Sequence, residues 1–197
     1  MSDNTHLPVI PAVILSGGLS RRMGGVDKAW LPLKGQPLIS HVLQRIEPQV
    51  RRCLINVNRN PESYQSLGWP VISDLNDQYE GPLQGFVSGL MHTEEPWVLF
   101  APCDMPQLPT DLLSRLWQAS GREQCSVVVA HDGERLQPVV VLLRRDVLAS
   151  LQQALHNGER KVGRWVMDQH PAVVDFSDQA DAFINLNRPE ELAALEG

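Results

Sequence analysis

An α/β fold with a mostly parallel central sheet is the architecture that this 197-residue sequence predicts. Short runs rich in β-branched residues alternate with segments of helical periodicity, a pattern typical of strands joined by crossover helices. Hydrophobic residues make up 43% of the chain and charged residues 20%, as in globular domains. No repeat, low-complexity tract or linker divides the chain, so we expect one domain with a substantial core over residues 1–197.

The predicted strands are short apolar runs, most of which end in turn or loop residues. Residues 9–15 form the first, and residues 97–101 form the most strongly apolar one, which suits a strand buried on both faces. The others are expected at residues 53–57, 71–72, 126–130 and 139–143, with two late strands at 173–176 and 183–186.

The clearest helix is predicted over residues 38–46, where apolar residues recur at the spacing of one helix face. Thr110 is a candidate N-cap for a later helix whose apolar face begins at Leu112. Further helices are expected at residues 61–67, 83–91, 146–155 and 161–168, with a final one starting near Pro189.

The charge balance excludes some classes of ligand. The net charge is −6, whereas a general nucleic-acid binder usually carries a basic face. Only three lysines occur, Lys28, Lys34 and Lys161, and the other fourteen basic residues are arginines. Because the overall field is negative, any anion must be held by a local arrangement of charges and backbone N–H groups.

The cysteines and the N-terminal residues indicate the cellular compartment of the protein. Cys53, Cys103 and Cys125 are odd in number and widely spaced, which favours buried, reduced thiols; a catalytic thiol or a metal site is the alternative. No run of 18 apolar residues and no signal-peptide pattern is present, so we expect a cytoplasmic protein without a membrane span.

The most informative segment is LSGGLSRRMGGVDK at residues 15–28, directly after the first predicted strand. Open α/β sheets bind ligands at this place, and glycines let backbone N–H groups surround an anion. Its glycines and cations are Gly17, Gly18, Gly24, Gly25, Arg21, Arg22 and Lys28. The segment matches neither a Walker A loop nor GxGxxG. It predicts a phosphate-binding loop, the alternative being an irregular loop with solvated arginines.

Asp104 ends the apolar strand segment WVLFAPCD. A carboxylate at a strand's carboxyl end can hold a divalent cation against a phosphate, and Mg²⁺ suits this best because it needs few carboxylates beside phosphate and water. The alternative is that Asp104 accepts hydrogen bonds from the following turn. Asp104 is therefore a candidate metal ligand.

Other polar residues end neighbouring strands. Asn56 and Asn58 lie on one face of the second strand's end, where amides suit a base edge or a ribose. Asp74 follows the third strand, either as a ligand contact or as a turn residue. Arg160 belongs to a second basic cluster, which either holds an anionic acceptor or is a solvated helix face. Asn187 has the pattern of a helix N-cap.

The glycine-rich segment resembles the signature LAGGxSxRMGxDK of the molybdenum cofactor guanylyltransferases, members of a wider nucleotidyltransferase family. Ser16 stands where Ala is more usual, and Gln137 where other members often have His. Further matching segments follow in order: INVNRN, VISD, GPLQG, PCDMP, HDGERLQP and FINLNRPEE. The resemblance covers nearly the whole chain.

The resemblance implies a three-layer α/β/α fold with a Rossmann-like sheet, of the nucleotide-diphospho-sugar transferase type. It implies transfer of GMP from GTP to molybdopterin or its molybdenum form, with pyrophosphate leaving. It places the nucleotide site at Leu15, Ser16, Gly17, Gly18, Lys28, Asn56, Asp74 and Asp104, with Lys28, Arg22 and Asp104 catalytic and Mg²⁺ on Asp104. It places the acceptor near Asn185 and Asn187, and we add Arg160 of the basic cluster as a hypothesis. The order of the motifs then predicts a nucleotide site in the N-terminal half and an acceptor site in the C-terminal half.

Alternatives remain open at this point. A related enzyme could use CTP, or a sugar phosphate as acceptor, and a non-catalytic module could bind GTP and carry the cofactor to partner enzymes. An acceptor phosphate is already a charged nucleophile, so no general base is required, and no convincing Ser-His-Asp or His/Cys metal pattern occurs. We expect catalysis by positioning and charge neutralisation, with proteins that deliver or receive the cofactor as further partners.

Overall fold

Seven strands form one sheet in the computed structural model, which describes residues 8–16, 27–74 and 81–186. The strands of the chain are β1 (Ala12–Leu15), β2 (Pro32–Leu33), β3 (Gln36–Pro37), β4 (Cys53–Asn56), β5 (Val71–Ile72), β6 (Trp97–Pro102), β7 (Val127–His131), β8 (Leu136–Arg144) and β9 (Ala172–Asp175). The helices are α1 (Leu38–Ile46), α2 (Pro61–Tyr64), α3 (Pro82–Met91), α4 (Leu112–Glu123), α5 (Leu148–His156) and α6 (Val162–Asp168).

The large sheet has the order β5-β4-β1-β6-β8-β7-β9. Strands β5, β4, β1 and β6 are parallel, β8 is antiparallel to both of its neighbours, and β9 is parallel to β7. Six of the seven strands therefore share one direction, which confirms the mostly parallel sheet. The chain leaves β1 for β4 on one side and returns to β6 on the other, and open sheets of this type bind ligands at such a switch point.

Helices cover both faces of the sheet. On β1, Ala12 and Ile14 face a core shared with α1 and α4, while Val13 faces a second core shared with α3, α5 and α6. Because successive side chains of a strand point to opposite faces, a strand between two helical layers must be apolar throughout. This explains the continuous apolar runs in the sequence and confirms the three-layer architecture.

Some predicted elements were wrong or incomplete. The small ribbon β2–β3 was missed; its two-residue turn has positive φ at Lys34 and Gly35, and strands of two residues carry no readable period. No strand covers 183–186; a 3₁₀ segment ends at Phe183, whose ring packs 5.3 Å from that of Phe176, so these apolar residues anchor a loop. The N-cap position of α4 is Asp111, not Thr110.

The cysteines are free thiols, and Cys53 and Cys103 are buried. Burial raises the pKa of each of these two thiols to about 12, so neither is a nucleophile at neutral pH. Within the described ranges, no helix has the length and apolar character needed to cross a membrane. The final helix predicted from Pro189 lies outside the described residues.

Candidate active site

The carboxyl ends of the parallel strands bring most of the predicted site residues to one edge of the sheet. Leu15 pairs in register with Asn56 on β4 and with Pro102 on β6. Two backbone hydrogen bonds extend this register beyond the strands: Ser16 N donates to Asn56 O at 2.8 Å, and Cys103 N donates to Leu15 O at 3.1 Å. The positions that follow β1, β4 and β6 therefore open on a common crevice.

Lys28 and Asp104 face each other in this crevice. The Lys28 Nζ lies 3.7 Å from Asp104 Oδ2, and their side chains are 31% and 17% exposed. Burial raises the pKa of the Asp104 carboxyl, and the positive charge of Lys28 lowers it only in part. A cation and a carboxylate of limited exposure thus stand at the end of β6, where phosphate and metal charges can be neutralised.

The carboxylate of Asp104 was predicted as a metal ligand, and its surroundings fit one kind of ion. Among the described residues, no three His, Cys, Asp or Glu side chains cluster as a complete ligand set. A single carboxylate suits Mg²⁺, which is held by one or two carboxylates together with substrate phosphates and water. The donor set therefore fits a cation that arrives with a nucleotide.

Asp74 is held by a set of side-chain hydrogen bonds. Asn56 Nδ2 donates to Asp74 Oδ1 at 3.0 Å, and Asn58 Nδ2 donates to Oδ2 at 2.6 Å. Ser88 Oγ on α3 also donates to Oδ1, and Asp74 N donates back to Asn58 Oδ1 at 2.8 Å. Asn56 ends β4 and Asn58 lies two residues beyond it, and together they fix the orientation of the carboxylate.

Close packing of α3 against this group explains a glycine of the GPLQG segment. A Cβ added at Gly85 would lie 2.7 Å from Leu15 Cδ2 and 2.9 Å from Asn56 Oδ1. Real Cβ atoms do not approach other atoms so closely, so any larger residue would displace Leu15 or Asn56. The absence of a side chain at position 85 lets α3 pack directly against Leu15 and Asn56, both predicted to bind the nucleotide.

Asn185 reaches the same edge of the sheet from the C-terminal half. The next residue donates a backbone hydrogen bond to Asp104, from Leu186 N to Asp104 O at 2.9 Å. Asn185 also lines an open cavity of about 380 Å³. The polar residues of this cavity are Asp132, Glu134, Arg135, Asp181 and Asn185. The segment that carries Asn185 is therefore adjacent to Asp104, the candidate metal ligand.

Arg160 lies in the connection between α5 and α6, on the other flank of the crevice. Its Nη1 donates to Leu155 O at 3.0 Å and to Glu159 O at 2.8 Å, which fixes the guanidinium close to the backbone. Its carbonyl oxygen is 4.0 Å from the position of a Cβ at Gly81, directly before α3. Arg160 is thus brought beside the start of α3, whose Gly85 packs against Asn56.

Gln137, whose role the sequence left open, is a buried partner of Asp132. Its Nε2 donates to Asp132 Oδ2 at 2.6 Å. The other oxygen, Asp132 Oδ1, accepts from Glu134 N and from Arg135 N at 2.8 Å each. Burial raises the pKa of the Asp132 carboxyl, but these hydrogen bonds and the charge of Arg135 lower it by more. The pKa therefore lies below its ordinary value. The pair therefore shapes the loop that borders the Asn185 cavity.

We expect the substitution Asp132→Asn to lower the free energy of unfolding by about 1–2 kcal/mol at pH 7, since it removes charge-assisted hydrogen bonds. A depressed pKa in the folded state stabilises the fold above the unfolded pKa of about 3.9, and this contribution is lost as the pH falls through the folded pKa. The difference from wild type should therefore shrink below about pH 4. Urea unfolding of both proteins from pH 3 to pH 7 measures it.

The control for this prediction is Asp146→Asn, which removes a carboxylate from an exposed ion pair with Arg144. Exposed pairs contribute about 0–1 kcal/mol, so this variant should remain close to wild type. An Asp132→Asn protein as stable as wild type at pH 7 would contradict the role assigned to the Asp132 carboxylate.

Some predicted site residues lie outside the described ranges: Gly17, Gly18, Arg22 and Asn187. Other residues at the site were missed by sequence reasoning, namely Asp27 and Tyr64. Tyr64 OH donates to Asp27 Oδ2 at 2.5 Å and lies 2.8 Å from Ser16 Oγ. Asp27 was visible as a neighbour of Lys28 in the signature, whereas nothing in the local pattern around Tyr64 indicates a contact with it.

A known protein family and individual proteins of known name resemble this chain over most of its length. A family model described as the MobA-like NTP transferase domain matches residues 12–173. A molybdenum cofactor guanylyltransferase of Shewanella loihica is 47% identical over 188 residues, covering 95% of this chain and 96% of its own length. Another, of Shewanella halifaxensis, is 46% identical over 186 residues, covering 94% of this chain and 93% of its own length.

Solved structures agree on the fold. Molybdopterin-guanine dinucleotide biosynthesis protein A from Archaeoglobus fulgidus matches with a TM-score of 0.78 at 21% identity, over 94% of this chain and 96% of that one. A 2-C-methyl-D-erythritol 4-phosphate cytidylyltransferase from Thermus thermophilus matches with a TM-score of 0.68 at 17% identity, over 93% and 96%. At these identities the matches show the fold alone, and they confirm the nucleotide-diphospho-sugar transferase type.

Proposed function

The chain belongs to the molybdenum cofactor guanylyltransferases of the MobA-like NTP transferase family, and we infer its reaction from that membership. The enzyme is a nucleotidyltransferase that transfers GMP from GTP to the terminal phosphate of molybdopterin or its molybdenum form. Pyrophosphate leaves, and a guanine dinucleotide cofactor is formed. The observation that carries this proposal in the structure is the Lys28–Asp104 pair at the carboxyl ends of β1 and β6.

The reaction needs positioning and charge neutralisation more than acid–base chemistry. An oxygen of the acceptor phosphate attacks the α-phosphorus of GTP, the bond from that phosphorus to the β-phosphate oxygen breaks, and pyrophosphate carries the negative charge away. Lys28 stabilises the phosphate charge, and Arg22 has the same proposed role from outside the described residues. Mg²⁺, held by Asp104 when a nucleotide is bound, would neutralise phosphate charge as a Lewis acid.

The nucleotide is assigned to the N-terminal half of this single domain. Leu15 ends β1 and Ser16 follows it. Asn56 ends the adjacent strand β4, and Asp74 follows β5, which lies beside β4. The Asn56 amide is buried against the half-buried Asp74 carboxylate, and groups of these two kinds suit the donors and acceptors of a guanine base and its ribose. Gly17 and Gly18 complete the proposed set from the signature.

The acceptor is assigned to the C-terminal half, at Asn185, Asn187 and Arg160. Support comes from the two flanks of the crevice: Leu186 is hydrogen-bonded to Asp104, and Arg160 lies beside the start of α3. An acceptor bound there would present its phosphate to a nucleotide bound between β1 and β6.

Replacing Arg160 with alanine is expected to raise the KM for the acceptor about tenfold and to leave the KM for GTP unchanged, because one charged hydrogen bond to an anion is worth about 1.5–3 kcal/mol. Steady-state pyrophosphate release with each substrate varied in turn measures both constants. The control is Arg122→Ala, at the exposed far end of α4. An unchanged acceptor KM would remove Arg160 from the acceptor site.

The function itself is tested by pyrophosphate release with molybdopterin and each of the four ribonucleoside triphosphates. Release with GTP only, abolished by EDTA and restored by Mg²⁺, is the expected result. Release with CTP would establish the cytidylyltransferase alternative, and release only when a sugar 1-phosphate replaces molybdopterin would establish the sugar-phosphate one. Tight GTP binding without release would establish a binding module.

The partners implied by this activity are GTP and molybdopterin, and we add proteins that deliver the acceptor or receive the product. A cytoplasmic location is part of the same proposal. It is supported by three free cysteines, which are typical of proteins in a reducing compartment.

A further inference from the structure

Tyr64 is a fully buried residue at the end of α2 that contacts the glycine-rich segment near both of its ends. Its hydroxyl donates to Asp27 Oδ2 at 2.5 Å, immediately before Lys28. The same oxygen lies 2.8 Å from Ser16 Oγ, immediately after β1. The tyrosine hydroxyl has one proton, which it donates to Asp27, so the Ser16 hydroxyl is the donor in the second hydrogen bond.

Asp27 passes this restraint to the turn that carries Lys28. Its other oxygen, Oδ1, accepts from Ala29 N at 3.1 Å and so caps the 3₁₀ turn Lys28–Trp30. The turn also contacts Tyr64 through Trp30: the two rings are in edge contact, with centroids 5.3 Å apart. The start and the end of the turn are therefore both held by Tyr64.

From this geometry we propose that Tyr64, through Asp27, is a positioning residue that holds the Lys28 ammonium beside Asp104 for GMP transfer. The inference rests on the proposed function, since it assigns a supporting residue to the same site. Tyr64 touches neither the substrates nor the reacting atoms. Its part is to fix the backbone from which Lys28 extends.

The chemistry of the chain Ser16–Tyr64–Asp27 suits a fixed support. Burial raises the pKa of Tyr64 above its ordinary value, and the hydrogen bond to the Asp27 carboxylate raises it further, so the phenol remains a donor at every working pH. Ser16, where Ala is more usual in resembling sequences, supplies the proton that the tyrosine oxygen accepts. Each of the three groups is thereby satisfied by its neighbours.

Such a support differs from general structural stabilisation in one measurable respect. If Tyr64 acts through Lys28, removing the tyrosine hydroxyl can reduce turnover only while Lys28 is present. Groups that act as one unit show non-additive effects, whereas independent contributions multiply. A double-mutant cycle therefore separates the two roles.

The test compares Tyr64→Phe in the wild-type protein and in the Lys28→Ala protein, with kcat measured by pyrophosphate release from GTP and molybdopterin. The ring and its contact with Trp30 are kept in this variant, and only the hydroxyl is lost. We expect kcat to fall about 10–100-fold in the wild-type background, the usual cost of losing a residue that orients a catalytic group. In the Lys28→Ala background we expect a change of less than about twofold.

Two further variants complete the design. Asp27→Asn weakens the same chain from its other end, so combining it with Tyr64→Phe should cost no more than the larger single effect. Thr93→Val removes another buried, hydrogen-bonded hydroxyl, at the far end of α3, and should lower the melting temperature without changing kcat. It controls for the loss of stability that accompanies any buried hydroxyl.

Equal losses in both backgrounds, or an unchanged kcat in Tyr64→Phe, would overturn the proposal. If Tyr64→Phe does not fold, the same comparison is made with Asp27→Asn in the two backgrounds, with the same criterion. Failure of the proposed function is recognised separately, because the wild-type protein would then release no pyrophosphate from GTP and molybdopterin.

Discussion

Replacing Asp104 with asparagine is expected to lower turnover by about 10²–10³-fold, the usual cost of losing one electrostatic contact to the reacting groups. The amide keeps the shape of the carboxylate but loses the charge that would hold a divalent cation. In the structure the Asp104 side chain is 17% exposed, and its Oδ2 lies 3.7 Å from Lys28 Nζ. Pyrophosphate release at saturating GTP and acceptor measures the loss.

The stability of this variant should not fall with its turnover. Burial raises the pKa of Asp104 despite the nearby ammonium, which means that the charged form is disfavoured by its surroundings. A neutral asparagine avoids that cost, so the free energy of unfolding should equal or exceed that of wild type, as is common where an active site is kept at the expense of stability. The matched control, Asp146→Asn, should keep full turnover, because Asp146 lies at the opposite edge of the sheet.

An Asp104→Asn protein that retains more than about a tenth of wild-type turnover in Mg²⁺ would remove Asp104 from the catalytic role. A protein that loses turnover and also unfolds readily would instead indicate a structural role for the carboxylate, probed further by circular dichroism at the assay temperature.

Lys28→Ala is the second large effect that we expect, with a similar loss of about 10²–10³-fold in turnover. The physical reason is loss of the cation that stabilises phosphate charge at the end of β1. Here stability should fall, by about 1–2 kcal/mol, because the partly buried Asp104 carboxyl loses the nearby positive charge. The two substitutions at one ion pair therefore have the same effect on turnover and opposite effects on stability.

Lys34→Ala is the matched control for this variant, since Lys34 lies in the exposed turn between β2 and β3. It should leave turnover unchanged and lower stability by less than about 0.5 kcal/mol. Near wild-type turnover in Lys28→Ala would contradict the assignment of Lys28, whatever its effect on unfolding.

Much of the site could be predicted because chemistry-bearing residues follow strands at a parallel sheet's carboxyl edge. Asp104 after β6 and Asn56 at the end of β4 were found in this way, and the structure places them around a common crevice. Asp74 was recognised as a candidate contact, but its two asparagine partners could not be paired with it from sequence, since the pairing depends on how β4 and β5 align.

Residues 183–186 are a segment whose structure the sequence predicted wrongly. The short apolar run predicted a strand, yet Phe183 and Leu186 are buried as anchors of an irregular segment whose backbone bonds to Asp104. A short apolar pattern specifies burial without specifying a hydrogen-bonded neighbour. The late segment thereby came to lie beside Asp104, which its pattern alone did not indicate.

The sequence by itself determined the fold class and the family and predicted a phosphate-binding loop, because side-chain periodicity, glycine spacing and strand-end carboxylates are local properties of the chain. Only the tertiary structure decided which of these groups meet. The Lys28–Asp104 pair, the hydrogen bonds that hold Asp74 and the link from Tyr64 to both ends of the signature join segments far apart in sequence. Such contacts are set by strand register and by the packing of α2 and α3 on the sheet, and those are fixed only when the whole core is assembled.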